Sequence, residues 1–190
     1  MSDNSADIEK RWEAASSAYE SGNFELAIRA FTELYDEGIE CCATEIGLVY
    51  ESMGNSQAAI EWYQKGTYAL DAESFIGLAN LYVRGKGVDP SLEYAKEILS
   101  VCVRTCKDKV EHRVELLLGD IYSLENDEQR AKDCYNRSYS LGNLIALKRL
   151  VCMDKKNGNY LKFFLRKISL FFKVYSLLRR DLRDMRIREF

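Results

Sequence analysis

Few side chains in this sequence have the types and spacing that catalysis requires. The one histidine, His112, stands between Glu111 and Arg113 near the start of a predicted helix, where a solvated or capping role is typical. The sequence has no nucleophile elbow, phosphate-binding loop or zinc-type histidine pair. It therefore predicts neither a catalytic residue nor a cofactor, and so not an enzyme.

The cysteines are the next candidates for chemistry, at positions 41, 42, 102, 106, 134 and 152. Cys102 and Cys106 are one helical turn apart and can share a helix face, but a metal would need two further ligands. The N-terminal residues lack the basic and apolar segments of a secretory signal. We therefore expect a cytoplasmic protein with six reduced thiols, packed as small hydrophobic groups, and no metal site.

Charge is unevenly distributed along the chain. Residues 1–142 contain 14 Lys/Arg and 26 Asp/Glu, a net charge of −12, whereas residues 143–190 contain 13 and 4, a net charge of +9. The acidic body argues against nucleic-acid binding, and the basic tail lacks a recognition motif. The asymmetry indicates either an anionic partner for the tail or an acidic surface onto which the tail folds.

A four-fold repeat supplies the elements that position these residues. Ala27, Ala59, Ala95 and Ala131 recur at spacings of 32, 36 and 36, each a few residues after a turn. Glycines mark the first three turns, and Asn126 can take the left-handed conformation in the fourth. Small residues allow two antiparallel helices to pack closely, so the pattern predicts tandem helix hairpins. The residues expected to fill the space between successive hairpins are Tyr50, Tyr82 and Tyr122.

Two units carry a family resemblance. The central unit reads Leu78-Ala79, Tyr82 and Gly85-Lys86-Gly87-Val88, and the unit before it reads Ile46-Gly47, Tyr50, Gly54, Ala59-Ile60 and Tyr63. At these residues the sequence resembles tetratricopeptide repeats and, in the central unit, their Sel-one-like relatives, with Ala79 replacing the first glycine. The resemblance implies an all-α, right-handed solenoid of antiparallel helix hairpins. We expect four hairpins in residues 1–142, and a short helix plus a long basic, apolar capping helix of the same domain in 143–190.

The resemblance also implies a class of function, since proteins of these families bind other proteins. It favours a non-catalytic scaffold or adaptor that holds a protein or peptide in a concave groove. The first helices of the hairpins would line this groove with Trp12, Ser16, Tyr19, Thr44, Leu48, Glu51, Asn80, Arg84, Asp120 and Ser123. Two alternatives stay open: an immunity-type protein that neutralises a secreted toxin, and a peripheral membrane adaptor that uses its C-terminal helix.

The C-terminal helix has an apolar surface too wide for a solvated helix. Between Leu161 and Leu178, 12 of 18 residues are apolar, and the polar ones follow one narrow stripe. The body of the protein, a second copy in a homodimer, or a membrane must cover this surface. The residues proposed for contact with a membrane or a second copy are Phe164, Phe171, Phe172, Arg179 and Arg180. We predict burial, against the body or a second copy, of Phe164, Ile168, Phe171 and Tyr175, with Lys162, Arg166 and Lys173 exposed.

Overall fold

The computed structural model describes residues 2–106 and 110–187, and the side chains of residues 5–106 and 110–176. All regular structure in these ranges is helical, which confirms the all-α prediction. The chain divides into two compact units, Met1–Val110 and Glu111–Phe190. This boundary falls inside the stretch that the sequence pattern assigns to repeats.

The first unit consists of three helix hairpins. Its helices are α1 (Ser2–Glu20), α2 (Phe24–Asp36), α3 (Cys42–Ser52), α4 (Ser56–Tyr68), α5 (Ala72–Arg84) and α6 (Leu92–Thr105). Each odd-numbered helix packs against the next helix in the chain, and α3 also contacts α5. The first helices of successive hairpins therefore lie side by side.

The second unit continues the hairpin pattern. Its helices are α7 (Glu111–Leu124), α8 (Glu128–Ser140), α9 (Leu144–Lys156) and α10 (Tyr160–Ile187). Helix α7 packs on α8, α8 on α9, and α9 on α10. The long C-terminal helix is thus the second helix of a further hairpin, and α9 is the element that orients it.

Turn chemistry explains where the second helices begin. The side chains of Asn23, Asn55 and Asp127 each accept a hydrogen bond from the backbone N–H three residues ahead, which caps α2, α4 and α8. The residue before each cap has positive φ; the first two are glycines, and the third is Asn126 with φ of 61°. The prediction of a left-handed Asn126 is confirmed.

Buried tyrosines account for three of the glycines inside helices, and the ring of Tyr63 lies over Gly77 as well as Gly47. The fully buried Tyr63 lies over Gly47, where an added Cβ would stand 2.6 Å from the ring atom Cε1, and Tyr135 lies over Gly119 in the same way at 2.5 Å. The ring of Tyr82, which was expected to fill the space between hairpins, packs edge-to-face on Tyr94 within its own hairpin. The second helix, not the first, supplies the tyrosine that needs the glycine.

Each unit has its own hydrophobic core. In the first unit, one cluster joins α1, α2 and α3 through Ala15, Ala18, Ala27, Phe31, Leu34, Cys42, Ile46 and Val49. In the second unit, a cluster joins α8 and α9 through Ala131, Tyr135, Ala146 and Leu150. Burying these side chains supplies the main stabilisation of the hairpins.

Candidate interaction sites

The residues that were candidates for catalysis or metal binding take part in contacts within the protein. His112 lies at the start of α7, where its backbone carbonyl accepts hydrogen bonds from the Ser138 hydroxyl and from Asn143 Nδ2. Cys106 Sγ donates to the Leu70 carbonyl at 3.1 Å, at the turn between α4 and α5. Within the part of the chain that the structure describes, no group of three or more His, Cys, Asp or Glu could hold a metal ion.

Burial determines the pKa values and the reactivity of the cysteine thiols. It raises the pKa of Cys42 and Cys134 to about 12, and it raises the pKa of Cys102 as well. Removing a thiol from water disfavours its charged form, and only the thiolate reacts or binds metal. The expectation that all six thiols are packed is wrong for Cys41 and Cys152, which are exposed. The buried thiols are therefore core groups rather than nucleophiles.

The first helices of the first unit form one surface, here called the first-helix face, built around Tyr19, Glu51 and Arg84. The Tyr19 hydroxyl and Ser52 Oγ share a hydrogen bond of 3.0 Å that links α1 to α3. Arg84 Nη1 donates to Glu51 Oε1 at 3.3 Å and links α5 to α3. Three of the residues predicted for the groove thus lie on a continuous surface.

Glu51 is the centre of the first-helix face. Its carboxylate accepts a hydrogen bond from the Tyr63 hydroxyl at 3.3 Å, and Lys86 Nζ lies 3.9 Å from Oε1. Burial raises the pKa of Tyr63, and the charge of Glu51 raises it further. Sequence reasoning missed Lys86 because it attributed the Gly85–Gly87 segment to the repeat turn alone.

Other predicted groove residues contact the protein itself. The Trp12 ring packs edge-to-face on Phe31 with centroids 5.3 Å apart, and Asn80 Nδ2 donates to the Ile76 carbonyl at 3.1 Å. Thr44 was expected in the groove, but it is buried and bonded to Asp71 and Ser74. Small polar side chains on a first helix can thus satisfy buried partners instead of facing solvent.

Asp120 belongs to the second unit and has a comparable set of partners. Its carboxylate accepts from the Tyr135 hydroxyl at 2.7 Å and lies 2.9 Å from Arg149 Nε. The hydrogen bond with Asp120 raises the pKa of Arg149. The bond of Tyr135 to Asp120 resembles that of Tyr63 to Glu51, although the two carboxylates stand at different positions of the repeat. Both carboxylates therefore serve the packing of a buried tyrosine.

Two members of the polar stripe of α10, Arg166 and Lys173, contact the rest of the second unit. Arg166 Nη1 lies 2.7 Å from Asp154 Oδ2 on α9, and the two side chains are only 24% and 4% exposed. Lys173 Nζ lies 4.2 Å from the centroid of the Tyr139 ring, and its hydrogen bond lowers the pKa of that tyrosine. A buried carboxylate requires a cation, so the arginine turns inward.

The apolar side of α10 consequently faces away from α9. This surface, here called the outer face of α10, consists of Tyr160, Leu161, Phe164, Leu165, Ile168, Phe171, Phe172, Val174 and Tyr175, each 40–74% exposed. Within the second unit, the prediction that Phe164, Ile168, Phe171 and Tyr175 are buried against the body is wrong. The prediction that Arg166 is exposed is wrong too. Lys162 and Lys173 are exposed as predicted. Arg179 and Arg180 lie outside the residues whose side chains are described.

Among the described residues, none of the helices combines the length and apolar character that a bilayer span requires.

Comparisons with known proteins agree with this architecture. A profile of the tetratricopeptide repeat matches residues 43–69 and 116–141. No curated protein sequence matches the chain. The crystal structure of MamA superimposes with a TM-score of 0.63 at 18% identity, covering 85% of this chain and 96% of MamA.

Two further solved structures share the fold. A Sel1 repeat protein from Oxalobacter formigenes has a TM-score of 0.60 at 16% identity, covering 76% of this chain and 62% of that protein. The protein c5321, a protective antigen of uropathogenic Escherichia coli strains with an SLR fold, has a TM-score of 0.60 at 18% identity, covering 82% of this chain and 35% of the antigen. The two matched repeats and the shared fold of these neighbours support the resemblance to tetratricopeptide and Sel1-like repeat proteins.

Proposed function

We propose that this chain is a non-catalytic scaffold whose first unit binds a protein partner through the first-helix face. Repeat proteins of this type generally serve as protein-binding scaffolds, because stacked hairpins present long surfaces made from many side chains. The observation that carries the proposal is the linkage of α1, α3 and α5 by the bonds Tyr19–Ser52 and Glu51–Arg84. These bonds hold charged and aromatic groups on one preorganised surface.

The composition of the first-helix face suits a protein surface. Leu48 lies one turn before Glu51 on α3 and is exposed, so an apolar contact adjoins charged groups. Residues 1–110 contain 10 Lys/Arg and 19 Asp/Glu, a net charge of −9. Such a field speeds association with a basic partner and makes the rate fall as salt increases. A basic protein is therefore the expected ligand.

Site-specific crosslinking in the native host tests this proposal. A photo-reactive residue at Leu48 is expected to capture one protein, whereas the same residue at Tyr68, a highly exposed position on α4, should not. Leu48→Asp and Arg84→Ala should then weaken binding of the captured protein by at least about tenfold, as removal of an interface contact does. Capture from Tyr68 alone, or unchanged affinity of both variants, would contradict the assignment of this face.

The toxin-neutralising alternative predicts a different outcome of the same experiment. A neutraliser should capture a single secreted enzyme, bind it with a Kd near or below about 1 nM, and inhibit it at equal concentrations. A scaffold should bind without inhibiting its partner.

A further inference from the structure

The outer face of α10 is the largest unexplained feature of the second unit. It does not result from a loosely packed helix, because the opposite side is held by the buried pair of Arg166 and Asp154 and by the contact of Lys173 with Tyr139. These polar contacts fix the rotation of the helix about its axis. The hydrophobic side chains are therefore directed outward by the fold itself.

The outer face is large enough to need an occupant. From Tyr160 to Tyr175 it extends along about 22 Å of helix, at 1.5 Å per residue. Its aromatic members are Tyr160, Phe164, Phe171, Phe172 and Tyr175. Soluble monomers rarely expose contiguous apolar patches of this kind unless the patch binds something.

Charge identifies the chemistry of the occupant. Helix α10 contains eight Lys/Arg and two Asp/Glu, and both acidic residues follow Ser176. Along the described side chains, Lys162 and Lys167 are exposed beside the outer face. A second copy would bring the same net charge of +6 on its own α10, and like charges across an interface are unfavourable. The exposed lysines beside the outer face therefore favour an anionic occupant.

The width of the outer face distinguishes a lipid surface from a helix of a soluble protein. On a wheel with 100° per residue, the positions from Tyr160 to Phe172 span an arc of about 140° without a charged residue. A partner helix would cover only a narrow seam of such an arc. A bilayer covers all of it, with aromatic rings at the boundary of headgroups and acyl chains and lysines reaching the phosphates.

We propose that α10 docks its outer face, lying in the plane of the interface, on membranes that contain anionic phospholipid. This inference goes beyond protein binding by the first unit and does not depend on it. The acidic first unit and the lipid-binding second unit would together make the chain a membrane-recruited adaptor. The ligand is the surface of a bilayer, where the lysines would contact anionic headgroups and the apolar side chains would contact the adjoining acyl chains.

Vesicle flotation with the full-length protein tests the proposal. The protein is expected to float with vesicles of equal parts phosphatidylglycerol and phosphatidylcholine, and to float much less with phosphatidylcholine alone. Phe164→Asp combined with Phe171→Asp should weaken binding by at least about tenfold, since burying one phenylalanine is worth more than that factor. Lys162→Gln combined with Lys167→Gln should weaken binding to the anionic vesicles and reduce its salt dependence.

A matched control separates the outer face from general hydrophobicity. Leu124 on α7 is 57% exposed, close to the 61% of Phe164, and lies in the same unit. Leu124→Asp should leave vesicle binding within about twofold of the unchanged protein, because a side chain outside the outer face contributes no burial in the bilayer. Circular dichroism should show full helicity for every variant, because all substituted positions are exposed.

Three results would overturn the lipid proposal. One is that the full-length protein floats with neither kind of vesicle. Another is a protein that does not bind vesicles but forms a dimer in light scattering, and whose dimer is dissociated by Phe164→Asp combined with Phe171→Asp. That result would identify a second copy as the occupant of the outer face. The third is equal loss of vesicle binding in Leu124→Asp. The crosslinking result at Leu48 is independent of all three.

Discussion

At the scale of residues, glycines and tyrosines set the helix spacing in both units. Tyr63 and Tyr135 are buried where Gly47 and Gly119 leave room for a ring, and their hydroxyls donate to Glu51 and Asp120. Each phenol thus gains apolar burial for its ring and a partner for its polar atom. The contact of glycine with tyrosine recurs at equivalent positions in the two units, so it belongs to the repeat, whereas the carboxylate partner comes from a different position in each.

Gly47→Ala is expected to destabilise the protein by about 1–3 kcal/mol, because the new methyl group would overlap the Tyr63 ring in a packed core. The free energy of unfolding from urea titration measures the effect. In a Tyr63→Leu background the same substitution should cost less, as the overlapping atoms are gone. An equal cost in both backgrounds would disprove the proposed contact.

Thiol burial predicts an order of chemical reactivity. At pH 8 a thiol with a pKa of about 12 is thiolate only about once in 10⁴ molecules, so Cys42 and Cys134 should alkylate far more slowly than the exposed Cys152. Iodoacetamide labelling with peptide mass analysis gives the rates. In guanidinium all three should react alike. Labelling of Cys42 as fast as Cys152 in the native protein would contradict its burial.

At the scale of elements, α10 shows how one ion pair can orient a helix. Asp154 is buried on α9, where an unpaired carboxylate would be costly, and Arg166 is the cation that reaches it. Pairing these two groups places the polar stripe inward and the apolar arc outward. Local electrostatics thereby decides which surface of the second unit is available for binding.

Arg166→Met should destabilise the second unit by about 3–5 kcal/mol, because it leaves Asp154 charged and buried without a partner. Thermal unfolding and hydrogen exchange of α10 amides measure the loss. Adding Asp154→Leu should recover much of it, since two apolar groups replace the pair. Lys156→Met, which removes an exposed pair with Glu128, is the control and should cost less than about 1 kcal/mol. A similar loss in the control would contradict a special role for Arg166.

At the scale of the whole molecule, the two structural units differ in the sign of their net charge. Residues 1–110 have a net charge of −9, and residues 111–190 contain 17 Lys/Arg and 11 Asp/Glu, a net charge of +6. An acidic unit attracts a basic partner, and a basic unit attracts an anionic one. The two proposed ligands, a basic protein and an anionic bilayer, follow this division.

Buried thiols and phenols together predict the response to alkali. In the unfolded chain the thiols ionise near their ordinary pKa of 9, whereas Cys42 and Cys134 stay protonated in the folded state up to about 12. Burial raises the pKa values of Tyr63 and Tyr135 as well. Because the folded state binds more protons in this range, the free energy of unfolding should fall above pH 9.

Urea titrations at several pH values measure this effect. The contribution of these groups to the free energy of unfolding should stay constant from pH 7 to about 9. Above that pH, the free energy of unfolding should fall by at least about 1 kcal/mol per pH unit. Replacing Cys42 and Cys134 by alanine should make the fall shallower. Unchanged stability up to pH 11 would show that these groups are not buried.

The sequence by itself determined the repeating hairpins, the turns and the resemblance to tetratricopeptide repeats. Small residues, glycine or asparagine turns and capping side chains act over a few positions, so their spacing predicts helices such as α3 and α4 without long-range information. The grouping of Tyr19, Glu51 and Arg84 was implied by the family resemblance. Local chemistry suffices for these features because each depends on neighbours in the same hairpin or the next.

Only the tertiary structure decided which side of each helix is free. Trp12 packs on Phe31, Thr44 is buried beside Asp71, and α10 turns its apolar face outward. Composition alone favoured the opposite orientation of α10, since apolar groups tend to be buried. The buried charge of Asp154, supplied by another helix, required Arg166 on the inner side and outweighed that tendency.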